Sequence, residues 1–314
     1  MPPALVLTAG LGTRLRPLTL VRAKPAVPIA GEPLVRRIIR WLRAKGISDL
    51  VLNLHHLPET IASAVGDGTD LDVRVRYSWE QPEVLGTAGG PRRALPLVGG
   101  GTFLIVNGDT LTDVDVPALV TTHQASDALV TLALVPNDQP HKYGGVVVDA
   151  GSRVTGFVRP GAPAADSRLR AARFGAAGLY HFVGVQAVEP SAFEGVPDNT
   201  SANSIGDVYD RLIARRPGAV RGFVTRAAFW DVGTIADYWN TSAALGAPAP
   251  PGRNTRIDPT ARVETSILWD DVEIGGHAVL EECIVTDGAV VPDGARYRRA
   301  VLRGGATLVA EPFD

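Results

Sequence analysis

Cysteine, methionine and aromatic residues are all scarce in this sequence of 314 residues. It has one cysteine and one methionine, and 6% of its residues are aromatic. With Cys283 as the only thiol, no intrachain disulfide can form, which agrees with a reducing compartment, and we expect a cytoplasmic protein. An excess of either charge is also missing, since 31 Lys and Arg stand against 33 Asp and Glu. This balance gives no clustered basic surface for nucleic acid or an anionic membrane, and we expect neither as a partner.

Long apolar runs are absent as well. The chain passes from Met1 through Pro2 and Pro3 into a short apolar stretch without a basic lead, so we expect no signal peptide. No run is long enough to span a bilayer as a helix. The 45% of hydrophobic and 20% of charged residues are typical of a globular protein. This length allows one large domain and a smaller one.

Short apolar runs alternate with helical patterns over residues 1–246. Runs at residues 4–8, 50–54 and 102–106 predict buried strands, and Leu34–Trp41 has apolar residues at helical spacing. This alternation predicts an α/β domain with a Rossmann-like, doubly wound, mostly parallel sheet. From Leu129 to about Val158 the strand pattern is denser, which predicts an inserted, more antiparallel layer over that sheet.

The helical period disappears after a proline-rich linker at residues 247–254. In residues 255–314, small or aliphatic residues recur at every sixth position, at Val272, Ala278, Ile284 and Val290. A second track contains Ile274 and Leu280. This period predicts a short parallel β-helix, with a small ordinary β-sheet as the alternative. A short stack leaves apolar coil ends exposed, so we expect a homo-oligomer held partly by residues beyond about 253.

A glycine-rich turn follows the first predicted strand. Gly10 and Gly12 allow the backbone to turn sharply and to bring its N–H groups close to an anion. A dinucleotide-binding fingerprint would require a third glycine where Leu15 stands, and no Gly-Lys-Ser/Thr of a P-loop follows. The turn therefore predicts a phosphate-binding loop of another type. Thr13 can donate its hydroxyl there, and Arg14 and Lys24 add two positive charges.

The run Gly-Leu-Gly-Thr-Arg-Leu-Arg-Pro-Leu-Thr at residues 10–19, followed by Lys24-Pro25, carries a family resemblance. It resembles the sugar-1-phosphate nucleotidyltransferases (NDP-sugar pyrophosphorylases), and most of all the mannose-1-phosphate guanylyltransferases. The resemblance implies a nucleoside triphosphate and a sugar 1-phosphate as substrates, and a left-handed β-helix as the tail. It implies catalytic roles for Arg14 and Lys24. It also implies that the triphosphate is gripped by Ala9, Gly10, Gly12 and Thr13.

Two aspartates match the metal-binding positions of that family. Residues 104–109 resemble its strand that ends in a metal-binding aspartate, here Asp109, and residues 230–234 resemble the segment with its second one, here Asp231. The resemblance therefore implies Mg²⁺ as the cofactor and a catalytic role for Asp109. Two carboxylates suit a hard cation that keeps several waters and bridges phosphate oxygens.

Residues 80–89 resemble the family segment that recognises the nucleobase. This resemblance implies that Glu80 and the backbone near Gly86 contact the base. A carboxylate suits guanine, whose N1–H and N2–H₂ both donate. The form Leu-Gly-Thr-Ala-Gly, which includes Thr87, also resembles the guanylyl enzymes more than the thymidylyl enzymes.

The sugar side departs from the family pattern. Residues 142–149 match its Tyr-Gly strand, in which the backbone at Gly145 faces the sugar, and Ala176 begins the stretch that matches the floor of the sugar site. The usual Glu-Lys-Pro is replaced by Val158-Arg159-Pro160. Arg159 can hold a phosphate as lysine does. Val158 cannot accept a hydrogen bond from a sugar hydroxyl, so the sugar is left open.

The preferred substrate pair is GTP with mannose 1-phosphate. One alternative is a uridylyltransferase acting on an amino-sugar phosphate of the muramate type. Another is a catalytically silent regulatory or scaffold subunit. Silent relatives should have lost a loop cation or a metal aspartate, and this sequence retains all four, Arg14, Lys24, Asp109 and Asp231.

Overall fold

The computed structural model describes residues 1–161, 176–246, 249–305 and 307–313. Its α-helices are α1 Leu34–Ala44, α2 Pro58–Val65, α3 Gly86–Val98, α4 Val116–Gln124, α5 Pro140–Tyr143, α6 Tyr209–Arg215 and α7 Ile235–Gly246. The strands before residue 240 are β1 Ala4–Leu7, β2 Pro28–Ile29, β3 Glu32–Pro33, β4 Asp49–Leu54, β5 Arg74–Trp79, β6 Phe103–Asn107, β7 Thr110–Thr112, β8 Val130–Pro136, β9 Gly145–Asp149, β10 Val154–Val158, β11 Ala176–Val188, β12 Val220–Val224 and β13 Phe229–Asp231.

The chain forms two compact units. The first unit contains Met1–Gly10, Ile38–His55 and Val65–Phe229. The second unit contains Leu11–Arg37, His56–Ala64 and Trp230–Asp314. The segment that follows the first strand therefore shares a unit with the C-terminal tail.

A mixed sheet of nine strands organises the first unit. Its order is β10-β9-β11-β6-β1-β4-β5, and β8 pairs with both β11 and β12. Strands β1, β4, β5 and β6 are mutually parallel along their shared edges. Strands β1, β4 and β6 are nearly continuous apolar runs because both faces of a parallel sheet are covered, whereas β5, at the end of the strand order, carries Arg74 and Arg76. The predicted doubly wound α/β sheet is confirmed.

The predicted inserted layer is wrong in its placement. Strands β8, β9 and β10 do not lie over the sheet but extend it, because the long strand β11 pairs antiparallel with β6, β8 and β9. Val185–Val188 pairs with β6, whereas Ala176–Tyr180 pairs with β9. One strand of 13 residues thus joins both sets of strands into one hydrogen-bonded sheet, with register shifts in its pairing with β8 and β9.

The core of the first unit lies between this sheet and its helices. Leu5, Val51 and Ile105 come from the three central parallel strands and are fully buried. Helix α3 packs on β1 and β4. The helix has small buried residues, among them Gly90, where a Cβ would lie 3.0 Å from Asn53 Nδ2 of β4, so glycine allows a close approach of helix and sheet.

Short parallel strands form a three-sided left-handed β-helix in the second unit, as predicted. They are β14 Arg256–Ile257, β15 Arg262–Glu264, β16 Ile267–Leu268, β17 Glu273–Ile274, β18 Val279–Glu281, β19 Ile284–Val285, β20 Val290–Val291, β21 Arg296–Arg298, β22 Ala300–Arg303 and the antiparallel β23 Val309–Pro312. The three sheets are β14-β17-β20, β15-β18-β21 and β16-β19-β22-β23.

Each coil of the β-helix contains 17 residues rather than 18. Arg256 pairs with Glu273 and Glu273 with Val290, and the same step of 17 separates the partners on the other two faces. Successive strand starts lie at residues 256, 262, 267 and 273, so one side is a residue shorter. The six-residue track of Val272, Ala278 and Ile284 therefore does not continue in the interior at Val290. Val290 is 56% exposed, and Ala289 occupies the interior in its place.

Left-handed backbone conformations mark the corners of the coils at the same interval. One column is Asn254, Asp271 and Gly288, with φ of 55°, 59° and 64°. Another is Thr265, Glu282 and Arg299, with φ of 45°, 53° and 47°. A left-handed residue turns the chain sharply between flat strands, so these columns set the three sides.

Candidate active site

The parallel strands of the first unit end at one edge of the sheet. Leu7 pairs with Asn107, and the Gly108 N–H donates to the Leu7 carbonyl at 3.0 Å. A Cβ at Gly108 would lie 2.4 Å from that carbonyl oxygen, so only glycine allows the approach. The turn places Asp109 beyond the carboxyl end of β6, the edge at which open α/β sheets bind ligands.

A chain of buried polar side chains joins three strand ends at this edge. The Thr8 N–H donates to Asn53 Oδ1 at 2.6 Å, and the Asn53 Nδ2 donates to Glu80 Oε1 at 2.7 Å. Thr8, Asn53 and Glu80 are 0%, 3% and 0% exposed. We call these three residues the polar chain. Asn53 was not among the predicted site residues, although a single polar residue inside the apolar run Leu-Val-Leu-Asn-Leu indicates a buried polar contact.

Glu80 lies in the interior rather than facing a ligand. Its Oε2 accepts from the Leu85 N–H at 2.7 Å, so both carboxylate oxygens have protein donors. A Cβ at Gly90 would lie 2.4 Å from Oε1, which shows how closely helix α3 approaches. The carboxylate thus fixes the turn that leads into α3. The implied contact between Glu80 and a base would require this covered carboxylate to be uncovered.

Gly86 and Thr87 open α3 next to this turn. Gly86 has φ of 73°, and a Cβ there would lie 2.7 Å from the Ala202 carbonyl oxygen. That carbonyl accepts from the Ala88 N–H at 2.9 Å, and the Thr87 hydroxyl accepts from the Ser204 N–H at 2.8 Å. The glycine therefore permits a close crossing of two segments, while Thr87 itself is exposed.

The residues assigned to the sugar lie on β9, β10 and β11. Gly145 begins β9, where a Cβ would lie 2.4 Å from the Leu179 side chain, so its lack of a side chain serves packing. Val158 is 6% exposed, while Arg159 is exposed immediately after β10. Ala176 is the first residue of β11, and its side chain lies outside the described part of the chain.

An aromatic group not foreseen from the sequence lies beside Gly145. The His181 ring lies 4.3 Å from that of Tyr143 and 4.6 Å from that of Phe229, measured between centroids. Burial, reinforced by the positive charge of Lys142, lowers the pKa of His181 to about 4. The imidazole is therefore neutral near pH 7. Together with the rings of Tyr143 and Phe229 it forms an aromatic cluster.

The glycine-rich loop continues in the second unit. Gly12 has φ of 60°, and a Cβ there would lie 2.7 Å from Thr19 Cγ2. The Thr19 hydroxyl donates to the Gly12 carbonyl at 2.9 Å. A 3₁₀ turn over Thr13–Leu15 follows, in which Leu15 is fully buried while Thr13 and Arg14 are exposed. The fixed glycine and the buried leucine thus hold the exposed pair in a defined turn.

Lys24 begins another 3₁₀ turn, Lys24–Ala26, in the same unit. The N–H of the preceding Ala23 donates to the Thr60 hydroxyl at 3.1 Å. Lys24 is only 9% exposed. A buried ammonium is stabilised only when anionic or polar groups surround it.

Asp231 ends β13, and its carbonyl accepts from the Thr241 hydroxyl at 3.2 Å. A Cβ at Gly233 would lie 2.9 Å from Asp231 Oδ2 and 3.1 Å from Asp237 Oδ2. The Thr234 hydroxyl donates to Asp237 at 2.9 Å. The glycine of the Asp-Val-Gly-Thr run therefore makes room for two carboxylates, of which the sequence analysis considered only Asp231.

The donor chemistry fits a cation that arrives with its substrate. Within residues 1–161, 176–246, 249–305 and 307–313, no group of three or more His, Cys, Asp and Glu side chains could hold a metal ion. Mg²⁺ is commonly held by one or two carboxylates together with phosphate oxygens and water. Asp109 lies in the first unit and Asp231 in the second.

Comparison with known proteins defines the class of this chain. It belongs to the nucleotidyl transferase family, whose model matches residues 3–247. A second model, described as GlmU-like, C-terminal hexapeptide, matches residues 252–297. The fold, the glycine-rich loop and the coiled tail thus belong to an enzyme that joins a nucleotide to a sugar 1-phosphate.

Individual relatives differ in their substrates. The chain is 30% identical to the mannose-1-phosphate guanylyltransferase of Mycobacterium tuberculosis, over 93% of this chain and 80% of that protein. It is 35% identical to the N-acetylmuramate alpha-1-phosphate uridylyltransferase of Neisseria meningitidis, over 78% of this chain and 98% of that one. The solved structure of HddC from Yersinia pseudotuberculosis complexed with GMP-PN is 23% identical and covers 78% of this chain and 100% of its own, with a TM-score of 0.63.

Sugar-1-phosphate nucleotidyl transfer is therefore the activity of this chain, whereas the base and the sugar differ among its relatives. None of the helices in the described residues has the length and apolar character needed to cross a membrane.

Proposed function

We propose that this enzyme transfers the guanylyl group of GTP to mannose 1-phosphate and forms GDP-mannose and pyrophosphate. The observation that carries the proposal is the similarity to the guanylyltransferase of M. tuberculosis, which extends over 93% of this chain. An alignment of that extent includes residues of both the catalytic region and the tail. The similarity to the uridylyltransferase of N. meningitidis covers 78% of this chain.

The reacting groups need little from the protein except charge and position. The oxygen of the sugar phosphate is already anionic, and it attacks the α-phosphorus of the nucleotide while the bond to pyrophosphate breaks. The exposed Arg14 and the buried Lys24 would stabilise the negative charge that accumulates on the phosphates. Arg159 would hold the sugar phosphate. The backbone of the loop at Ala9, Gly10 and Gly12, with the Thr13 hydroxyl, would bind the triphosphate.

Mg²⁺ would be held by Asp109 and Asp231. When bound, it supplies positive charge to the triphosphate and to the leaving pyrophosphate. Chelation with EDTA is expected to abolish pyrophosphate release, and added Mg²⁺ is expected to restore it. Activity that persists after complete chelation would remove the cation from the proposal.

The base would be recognised by the turn into α3. Glu80 would hold this turn in place without contacting the base. The carboxylate holds Asn53 and the Leu85 N–H, so it fixes the Gly86 backbone beside which a base would lie. We propose Glu80 as a positioning residue for this turn rather than as a direct contact.

A uridylyltransferase acting on an N-acetylmuramate-type phosphate is the second candidate, because the relative from N. meningitidis is the more similar in percentage identity. The buried Val158, in place of the family's sugar-binding glutamate, also leaves room for a less polar sugar. A matrix of GTP, UTP, ATP and dTTP against mannose, glucose and N-acetylmuramate 1-phosphates, scored by pyrophosphate release, distinguishes the two. Arg14→Ala is the inactive control. A preference for UTP with the muramate sugar would overturn the GDP-mannose assignment.

We further propose that the enzyme is cytoplasmic and forms homo-oligomers through its tail. The single buried thiol of Cys283 supports the first statement. The aliphatic side chain of Val290, which is 56% exposed on the outer side of the coils, supports the second.

A further inference from the structure

Arg22 stands apart from the other charged residues of the second unit. Its Nε donates to Asp287 at 2.6 Å, and its Nη2 donates to Asp287 at 2.7 Å and to Asp270 at 2.8 Å. The guanidinium also lies over the Trp269 ring, 5.4 Å from the centroid. The side chain of Arg22 is 15% exposed, against 80% for Arg256 and 70% for Arg262, which form ion pairs elsewhere on the coils.

Bidentate, partly buried pairs of this kind fix geometry, whereas exposed pairs contribute little. Burial by itself would lower the pKa of Arg22, but the hydrogen bonds and charges of Asp287 and Asp270 outweigh it and raise that pKa. The arginine therefore stays charged and is held from three sides by residues of one corner of the β-helix.

A second connection joins Trp269 to the residues that follow Lys24 in the sequence. Trp269 is 1% exposed, and its Nε1 donates to the Tyr238 hydroxyl at 2.9 Å. That hydroxyl donates in turn to the Pro28 carbonyl at 2.8 Å. The rings of Tyr238 and Trp269 meet edge to face, with centroids 6.4 Å apart. Both ends of segment 22–28 are thus tied to one side chain of the coiled tail.

We infer that Arg22, Tyr238, Trp269, Asp270 and Asp287, here named the Trp269 cluster, position Lys24 for nucleotidyl transfer. Lys24 lies two residues after Arg22 and four before Pro28, inside the segment that the cluster holds at both ends. A displacement of about 1 Å in a charged group at the reacting phosphates can cost a factor of about 100 in rate. The inference rests on the proposed catalytic role of Lys24.

The test compares Arg22→Met with Arg253→Met in the full-length protein. Arg253 pairs with the same Asp270 carboxylate at 3.0 Å, but its side chain is 85% exposed and lies outside segment 22–28. We expect Arg22→Met to lower kcat by roughly tenfold to a hundredfold with a small change in KM. Arg253→Met should stay within about twofold of the unaltered enzyme, since it removes only an exposed ion pair. Equal losses in both variants would overturn the inference.

A double variant tests whether Arg22 acts by positioning Lys24 or has only a general structural role. If the cluster acts through Lys24, the double variant Arg22→Met/Lys24→Met should be no slower than Lys24→Met alone, since the effects of a coupled pair are not additive. Multiplied losses would contradict the inference. Full turnover of Lys24→Met would instead remove Lys24 from the proposed function, an outcome that this single variant reveals by itself.

A milder variant guards against misfolding. Tyr238→Phe keeps the ring but removes the hydroxyl that links Trp269 to the Pro28 carbonyl. We expect kcat to fall several-fold while the melting temperature changes by only a few degrees, because only the two hydrogen bonds of that hydroxyl are lost and the ring contacts remain. Unchanged kcat in Tyr238→Phe would exclude a role for this second tie.

Discussion

At the scale of single residues, buried polar groups order the edge of the sheet where the nucleotide is expected. Thr8, Asn53 and Glu80 lie at or directly after the ends of three different strands, and they are joined by hydrogen bonds between buried groups. In such surroundings each bond matters, because an unpartnered buried group costs about 1–3 kcal/mol. The polar chain therefore links the turn into α3 to the strand that leads into the phosphate loop.

Glu80→Gln tests whether this carboxylate positions the turn or contacts the base. The amide can still accept from Asn53, but its nitrogen cannot accept from the Leu85 N–H, so we expect a loss of about 1–3 kcal/mol in the free energy of unfolding. The KM values for GTP and UTP should rise by similar factors. Urea denaturation and initial rates with both nucleotides measure the two effects. A selective loss of GTP would show that Glu80 contacts guanine.

His181 makes the protein sensitive to acid. Its pKa is about 4 in the folded chain and near 6.5 when unfolded, so between these values the unfolded chain binds the extra proton and stability falls as pH falls. After allowance for solvent screening of a partly exposed ring, the loss between pH 7 and pH 5 is about 1 kcal/mol. His181→Phe, which keeps the contacts with Tyr143 and Phe229, should lose less stability over that interval. Parallel acid shifts in both proteins would argue against this assignment.

At the scale of elements, the coils of the tail repeat every 17 residues, and this interval decides which side chains face inward. Ile274 pairs with Val291, and both are buried, whereas the neighbouring Glu273 pairs with Val290, and both are exposed. Two adjacent valines on one short strand thus have opposite environments. A step of 18 would have exchanged them.

Val290→Ala and Val291→Ala form a matched pair for this register. Val291 is 1% exposed, and its truncation should cost about 2 kcal/mol because it leaves a cavity in the coil. Val290 is 56% exposed, and its truncation should change stability by about 0.5 kcal/mol or less. Thermal or urea unfolding of the two variants measures the difference. Equal destabilisation would show that the register is different.

The elements that the sequence predicted best are those whose signal is local. Strands β1, β4 and β6 are apolar runs because both faces of the parallel sheet are covered, and the periodic tail follows from stacking. The pairing of β8, β9 and β10 through β11 depends on partners distant in the chain, so composition did not reveal it. In the candidate site, the glycine-rich loop could be predicted because its signal is local. The hydrogen bonds among Thr8, Asn53 and Glu80 could not, because these residues are distant in the sequence.

At the scale of the whole molecule, the tail and part of the catalytic region share one compact unit. Leu11–Arg37, which contains the loop and Lys24, groups with Trp230–Asp314 rather than with the main sheet. The linker at residues 247–254 therefore separates two stretches of sequence that belong to the same unit.

Assembly through the tail is testable on the full chain. Val290 is 56% exposed on the outer side of one sheet of the β-helix, and a self-associating surface would cover it. We expect light scattering to give a mass above that of one chain at micromolar concentration, and Val290→Glu to shift it toward the monomer. Arg262→Glu, on another face, serves as the control. A monomeric unaltered protein would refute assembly.

The interval of 17 residues also restricts how the length of the tail can change. Each corner column, such as Asn254, Asp271 and Gly288, requires a residue in the left-handed conformation at a fixed place in every coil. Loss of one residue within a coil would shift all later corners onto residues meant for strands, whereas loss or gain of 17 restores the pattern. Because stacked repeats interact mainly with their neighbours, whole coils are the units in which such a stack grows or shrinks. The tail of this protein is thus extensible in discrete steps, each about the thickness of one strand spacing, ~4.8 Å.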